Sequence, residues 1–260
     1  MTSRFPHRSL LSITACAILC AVSAVQAKAQ APFPLAPPPG PQIYPTPLDT
    51  SNDGFRPIFN GTSLDDWETD PRYWRVENRM LVGEVTPATL LKQNNFAIWR
   101  GGSPSNFELK VEFRITAQGN SGINYRSEEI AGTKFLLRGY QADIDGASKY
   151  TGQNYEERGR TFLAPRGTIT YVATGQKPAV IASLGSADDL KQWIKQGDWN
   201  ECHLIIRGNV LIHILNSHVM CEVIDDDADH RKLSGLIGVQ VHVGPPMKVE
   251  YRSILLKELP

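Results

Sequence analysis

The most regular stretch of the chain is Phe107-Glu-Leu-Lys-Val-Glu-Phe-Arg-Ile115, where apolar and polar residues alternate at every step. Successive side chains of a β-strand point to opposite faces, so Phe107, Leu109, Val111, Phe113 and Ile115 are expected to face a core. Shorter runs of the same kind recur. Tyr73–Val76 and Met80–Gly83 flank Glu77-Asn78-Arg79, which reads as a hairpin turn. Glu201–Arg207, Val210–Leu215 and Val219–Ile224 are joined by Gly208-Asn209 and Asn216-Ser217 and read as a three-strand meander. Ser121–Arg126, Leu236–His242 and Val249–Leu256 add further strands, and Lys149–Pro165 reads as a loop-rich middle. Only Asp188–Gln196 has a helical character, with Asp188 or Ser186 as N-cap and Gly197 as its stop. Roughly a dozen short strands and one helix predict an all-β sandwich or barrel.

One stretch alternates with the polar side unusually rich. In Arg138-Gly-Tyr-Gln-Ala-Asp-Ile-Asp-Gly146, Tyr140, Ala142 and Ile144 share one face while Gln141, Asp143 and Asp145 share the other. Successive polar members stand roughly 7 Å apart along the strand. Such a row suits the floor of a groove for a polyhydroxylated ligand, whose hydroxyls each need a partner. It equally suits the solvated outer face of an antiparallel strand. The same parity sets Asn124 and Arg126 opposite Ile123 and Tyr125, and Gln240 and His242 opposite Val239 and Val241. All of these polar residues are therefore expected to point away from the interior. Tyr155-Glu-Glu-Arg-Gly-Arg160 falls in the loop-rich middle, where binding residues concentrate, so Tyr155, Glu157 and Arg160 join the candidates. Each has a plainer reading: a surface arginine at Arg126, a structural histidine at His242, a solvated charged loop at 155–160. Of Trp67, Trp74, Trp99, Trp193 and Trp199, most lie beside apolar strand residues and read as core.

Composition narrows the partners. Of 260 residues 41% are hydrophobic and 21% charged, and the formal net charge is zero with Lys and Arg scattered, which argues against nucleic acid or an anionic membrane surface as partner. Arg4, His7 and Arg8 precede the apolar run Leu10–Val25 and the small residues Ala27, Ala29 and Ala31, the order of a secretory signal peptide. Cleavage is expected after Ala27, with Ala29 or Ala31 also open, leaving no stable membrane anchor. The expected organisation is a signal peptide over 1–27, a proline-rich linker over 28–50 and one domain over 51–260. The mature cysteines, Cys202 and Cys221, fall on non-adjacent strands of the meander, too far apart to bridge. No glycine-rich phosphate loop, zinc-spaced Cys/His set or nucleophile-elbow serine is present. A divalent cation on Asp143 and His242 is conceivable, but no ligand spacing demands one.

Several segments taken in order carry a resemblance: Phe59-Asn-Gly-Thr-Ser-Leu-Asp-Asp-Trp67, Trp74–Gly83, Phe107–Arg114, Asn120-Ser-Gly-Ile-Asn-Tyr-Arg126, Gly139–Asp145, Gly197-Asp-Trp-Asn200, Gly238-Val-Gln-Val-His242 and Val249-Glu-Tyr-Arg252. Together, over roughly residues 54–259, the chain resembles the 3-keto-disaccharide hydrolase domain family. The resemblance implies a concanavalin-A-like jelly roll related to family 16 glucanases, in an exported bacterial protein, periplasmic or extracellular, that acts on carbohydrate. Where retaining glucanases of that kind carry a nucleophilic glutamate, Gln141 stands here and cannot serve. The usual Asn-Gly turn is Asn216-Ser217. A 3-keto sugar makes sense of such a site, because its carbonyl acidifies the C2 proton and the C1 substituent then leaves by elimination, with water adding back. On this reading Asp143 or His242 is the base, Arg126 stabilises the enolate oxygen, and Glu157 or Asp145 supplies a proton. Gln141 and Gln240 hold hydroxyls, with Asn124, Tyr155 and Arg160 also binding substrate. The alternative is a non-catalytic, lectin-like carbohydrate-binding module, which keeps the polar groove but needs no base.

Mass spectrometry of the protein exported from its native host is expected to find a first residue between Lys28 and Pro32; retention of Met1 contradicts the signal-peptide assignment.

Overall fold

A computed structural model describes residues 51–260; the signal-peptide and linker expectations lie outside the described residues. In chain order the strands are β1 (Arg56–Pro57), β2 (Trp67–Glu68), β3 (Trp74–Glu77), β4 (Met80–Val85), β5 (Asn95–Trp99), β6 (Phe107–Ile115), β7 (Asn120–Glu129), β8 (Leu137–Asp145) and β9 (Asn154–Glu157). There follow β10 (Thr161–Ala164), β11 (Thr168–Ala173), β12 (Ala179–Ser183), helix α1 (Ala187–Lys191), β13 (Asn200–Arg207), β14 (Val210–Leu215), β15 (His218–Asp226), β16 (Leu236–Val241) and β17 (Met247–Glu258). They form a ten-stranded sheet ordered β12-β11-β15-β14-β13-β6-β17-β4-β3, with β1 on β17, and a seven-stranded sheet ordered β10-β9-β8-β7-β16-β5-β2. This is the expected all-β jelly-roll sandwich with one short helix.

The alternation of β6 holds along its whole length. Phe107, Leu109, Val111, Phe113 and Ile115 are buried in one cluster with Ile123, Tyr125, Tyr140, Ala142, Val239 and Val241 of the facing sheet. Truncating one of the phenylalanines to alanine would cost about 3–5 kcal/mol through lost burial and the cavity left behind. On the outer face Glu112 and Arg114 of β6 meet charged partners, Arg252 at 3.1 Å and Glu250 at 2.7 Å, while Lys110 donates to the Ser51 carbonyl at 2.6 Å. The meander β13–β15 forms as read, and Cys202 and Cys221, on its first and third strands, are buried and free.

Two expectations change, and the reading of most tryptophans as core holds. The helix ends at Lys191 instead of Gln196: Ser186 caps it by accepting from Asp189 N at 3.0 Å, but the Lys195 N–H is taken by the Asn200 side chain at 2.8 Å. That bond removes the donor a longer helix would use. The loop-rich middle contains the hairpin β9–β10, whose strands have only four residues each. Strand β9 is polar on both faces, because Asn154 and Glu156 find buried polar partners, so no apolar period marks it. Finally, Trp67, Trp74 and Trp99 are core, whereas Trp193 is exposed and stacks on His218. Trp199 lies against the guanidinium groups of Arg114 and Arg252, 4.9 and 3.9 Å from its ring.

The tight turns follow the strand twist. Asn78-Arg79 and Asn216-Ser217 both have two left-handed residues, the signature of a type I′ hairpin, with Ser217 at φ 67°. An L-residue pays a steric cost there that glycine does not. Ser217→Gly is therefore expected to stabilise the fold by about 0.5–1 kcal/mol and raise Tm by roughly 1–4 °C, measured by thermal unfolding.

Candidate functional site

Strand β8 sets the site. Its inward residues Tyr140, Ala142 and Ile144 join the core, which leaves Gln141 and Asp143 on the outer face of the seven-stranded sheet. An outer face is normally wet, yet Gln141 is 3% exposed and Asp143 9%. Part of the cover comes from the segment 146–164, which returns beside the strand to form β9 and β10 and brings Gln153 against Asp143.

Asp145 makes that return possible. Its carboxylate accepts from the backbone N–H groups of Lys149, Tyr150 and Thr151 at 2.9, 2.8 and 2.8 Å. Such charge-assisted bonds to backbone donors fix the loop. Asp145 is thus a staple, turned away from catalysis. The loop delivers Gln153, whose Nε2 donates to Asp143 Oδ2 at 2.8 Å, while Gln141 Nε2 donates to Oδ1 at 2.6 Å. Gly122 faces Asp143 across the β7–β8 ladder, and a Cβ there would fall 2.3 Å from the Gln141 side chain. Glycine leaves the bed on which the Gln141 amide lies.

The polar row continues onto neighbouring strands. Gln240 of β16 donates to Gln141 Oε1 at 3.1 Å and to Glu157 Oε2 at 3.5 Å. Glu157 also accepts from Asn94 at 3.2 Å and faces Arg158 at 3.6 Å. Asn120, Gln141, Asp143 and Glu157 line a cleft of about 160 Å³, joined by His242 just beyond β16. Tyr150, Tyr155 and the half-exposed Phe162 form its apolar side, with Tyr155 and Phe162 edge to face at 5.1 Å.

Asp143 and His242 are two ionisable groups that face this cleft, and Asp143 is an acid shifted toward neutrality. Burial pushes the Asp143 carboxyl up to about 7; the amides of Gln153 and Gln141 oppose the shift, and the charges of Asp145 and Glu157 add to it. Nδ1 of His242 lies 2.5 Å from the carbonyl of Val243. A carbonyl only accepts, so Nδ1 carries the hydrogen and Nε2 is the ring's basic nitrogen. Burial, then the charges of Glu157 and Asp143, raise the pKa of Tyr155, which keeps its phenol a donor.

Of the residues expected to gather here, Gln141, Asp143, Glu157, Tyr155 and His242 line the cleft and Gln240 supports it from behind. Arg126 does not. It takes a left-handed φ of 44° where the β7–β8 register shifts, and this bulge turns its side chain off the expected face. Its buried guanidinium donates to the carbonyls of Ser105, Gly208 and Lys232 instead. Arg160 is likewise drawn away, to Glu156, Asp225 and Asp227 at 2.7, 2.7 and 3.3 Å. These contacts clamp the β9–β10 hairpin to the end of β15, so Arg160 positions the wall that carries Tyr155 and Phe162. Asn124 keeps its predicted parity but is fully buried, with neither side-chain atom hydrogen-bonded. The cleft also contains Asn120, whose parity matches that of Asn124, and Tyr150 and Phe162, hidden in the supposed loop. No group of three or more potential metal ligands occurs among the described residues.

Residues 54–257 match the profile of the 3-keto-alpha-glucoside-1,2-lyase-like domain. Among solved structures, a protein of Parabacteroides distasonis ATCC 8503 provisionally assigned as a glycosyl hydrolase aligns at TM-score 0.54 and 14% identity, over 79% of this chain and 99% of its own. A second such protein of that organism gives 0.51 and 20%, over 80% and 95%. A Bacillus subtilis protein of unknown function with a galectin-like fold gives 0.51 and 14%, over 78% and 94%. These likenesses establish a shared sandwich fold. No curated protein matches the chain significantly.

The Asp143 shift has a consequence for stability. An acid whose folded pKa exceeds its unfolded value of 3.8 binds its proton more tightly in the native state, so its contribution favours folding below that value and is lost as pH rises to about 7. The full loss is on the order of 4 kcal/mol. Asp143→Asn cannot ionise, and one neighbouring glutamine amide can turn over to satisfy it. Denaturant unfolding from pH 4 to pH 8 is expected to show the variant gaining stability on wild type as pH rises; parallel profiles would contradict the buried-acid assignment.

Proposed function

We propose, for a chain that belongs to the 3-keto-alpha-glucoside-1,2-lyase-like domain family, that it is an exported enzyme cleaving the C1 substituent from 3-keto-glycosides. The observation that carries this reading is an ionisable pair, Asp143 raised to about 7 and His242 with a free Nε2, in a cleft of about 160 Å³. A carboxyl raised toward neutrality beside an imidazole suits proton abstraction beside a carbonyl. Export is supported by the signal-like order of the first residues.

In this mechanism the ketone at C3 acidifies the C2 proton, and Asp143 in its carboxylate form takes it. The electron pair forms the enolate, whose oxygen needs donors in place of the unavailable Arg126. The Tyr155 hydroxyl and the Asn120 amide line the same cleft and fill that role. The enolate collapses to a C1–C2 double bond as the C1–O bond breaks, and protonated His242 gives its Nε2 proton to the departing oxygen. Water adding at C1 gives one proton to the now neutral His242 Nε2 while Asp143 returns its proton to C2, which completes net hydrolysis and restores both groups; release before that step is a lyase reaction.

A second reading, a carbohydrate-binding module without catalysis, is favoured by one observation. Phe162 is 50% exposed beside Tyr150 and Tyr155, a stacking surface for a sugar face. Tight binding of unoxidised sugars with no turnover of any 3-keto-glycoside would select it.

Incubation with 3-keto-glucosides and their unoxidised parents is expected to consume only the oxidised forms. Because Asp143 is buried, its alanine variant would strand two amides at about 1–3 kcal/mol, so the near-isosteric Asp143→Asn is the cleaner probe. Asp143→Asn and His242→Ala are each expected to fold and to lose about 10²–10⁴-fold in kcat. Full turnover in either variant contradicts its assigned role.

A further inference from the structure

One buried polar group has no part in the mechanism. Along β14 the core-facing positions are Leu211, His213 and Leu215, so an imidazole stands where the period calls for a third apolar side chain. Burial pushes its pKa down to about 4, which keeps the ring neutral near pH 7. Its Nδ1 lies 3.3 Å from the Gln153 carbonyl. A carbonyl only accepts, so Nδ1 carries the hydrogen and Nε2 is left as an acceptor. The Tyr125 hydroxyl, 2.8 Å away, donates to Nε2, and Asn154 Nδ2 donates in turn to that hydroxyl at 2.8 Å. This chain of bonds leaves β9 at Asn154, crosses the core to the opposite sheet, and returns to β9 at Gln153.

We infer that His213 is a positioning residue, which fixes the register of β9 so that Gln153, Tyr155 and Glu157 face the cleft. Its catalytic consequence rests on the function proposed above. Most strands of this fold choose their register by an apolar inner row, but β9 turns Asn154 and Glu156 inward. A slip by one residue would exchange its two faces and withdraw all three cleft groups together. Matching polar partners in the core must therefore tell the registers apart. Arg160 holds the far end of the strand through Glu156, and His213 holds the near end through Gln153 and Asn154. Gly152, at φ 90°, lets the chain enter β9 close over β15, where a Cβ would fall 3.0 Å from the Met220 side chain.

The link to the cleft is short. The Gln153 carbonyl that accepts from His213 also accepts from Asp143 N at 3.2 Å, while the Gln153 amide donates to the Asp143 carboxylate at 2.8 Å. His213 does not line the cleft itself, and acts through the residue that holds the base.

The test separates register from packing. Tyr125→Phe, Asn154→Leu and His213→Leu are combined in one variant, which keeps the core filled and strands no partner, because the Gln153 carbonyl retains Asp143 N. Removing both sides of a hydrogen bond in this way can be nearly neutral in stability. His213→Asn is the conservative companion, since its side-chain amide places an N–H near the position of Nδ1. The triple variant is expected to keep a Tm near that of wild type and to lose about 10–10²-fold in kcat on a 3-keto-glucoside, with KM moved less. Its β9 amides are expected to exchange hydrogen roughly five- to tenfold faster, the worth of one hydrogen bond. His213→Asn is expected to recover most of both losses. Wild-type kcat and wild-type exchange in the triple variant mean that the imidazole only fills the core, and overturn the inference. Nitrogen NMR of wild type provides a check that needs no variant: the Nδ1–H tautomer of His213 is expected, and the Nε2–H tautomer overturns the inference. If wild type turns over no 3-keto-glycoside the functional reading fails, while exchange and tautomer still decide the register role.

Discussion

A carboxylate on the outward face of a sheet stays solvated unless something covers it, and this site depends on that covering. Strand β8 supplies the polar row, and side chains of the returning segment 146–164, with Gln240 of β16, shield it from water. The return is held at its start by Asp145, which gathers three backbone N–H groups. It is held at its far end by Arg160, bonded to Glu156 of its own hairpin and to Asp225 and Asp227 of the opposite sheet. Between these anchors lie Gln153, Tyr155, Glu157 and Phe162, which supply one wall. The shifted acidity of Asp143 follows from this cover, because burial is its largest cause. The fold thus uses two charged residues as anchors to bury a third.

The sandwich itself was legible because each long strand has one apolar face, as the full burial of the inward residues of β6 illustrates. The same parity correctly grouped Gln141, Asp143 and Gln240, and brought His242 to the same cleft across a hundred residues of chain. It failed at Arg126, where a bulge breaks the period of two, and no composition signal marks a bulge in a strand of this kind. Asp145 and Arg160 were recognised as unusual, but a sequence does not say whether a charge faces a ligand or its own backbone. Phe162 and Tyr150 were missed because the polar strand β9 disguised its hairpin as loop. Asn94 and Gln153 left no trace, since their roles exist only through contacts made by chain return.

Corrections to the site also change its chemistry. With Arg126 bound to three carbonyls, its positive charge is withheld from the cleft. Under the proposed mechanism neutral donors carry the stabilisation of the enolate oxygen, in a partly dry cleft where an oriented hydroxyl or amide is worth more than in water. The family match and this donor set are compatible, because elimination beside a ketone develops less charge at the anomeric carbon than direct displacement. The aromatic side of the cleft is common to both readings, since the half-exposed Phe162 offers a stacking face edge to face with Tyr155.

The amide bridge between the two carboxylates has an electrical meaning. Gln240 gives hydrogens to both Gln141 and Glu157, and Gln141 gives one to Asp143, so the acids are joined by two side chains that do not titrate. Such a link transmits polarisation but insulates against protons. Glu157 can sense the charge on Asp143, yet cannot receive its proton through the bridge. Under the proposed mechanism a proton lifted from the sugar therefore stays on Asp143 until it is returned to C2, and the site keeps a short memory of the atom it removed.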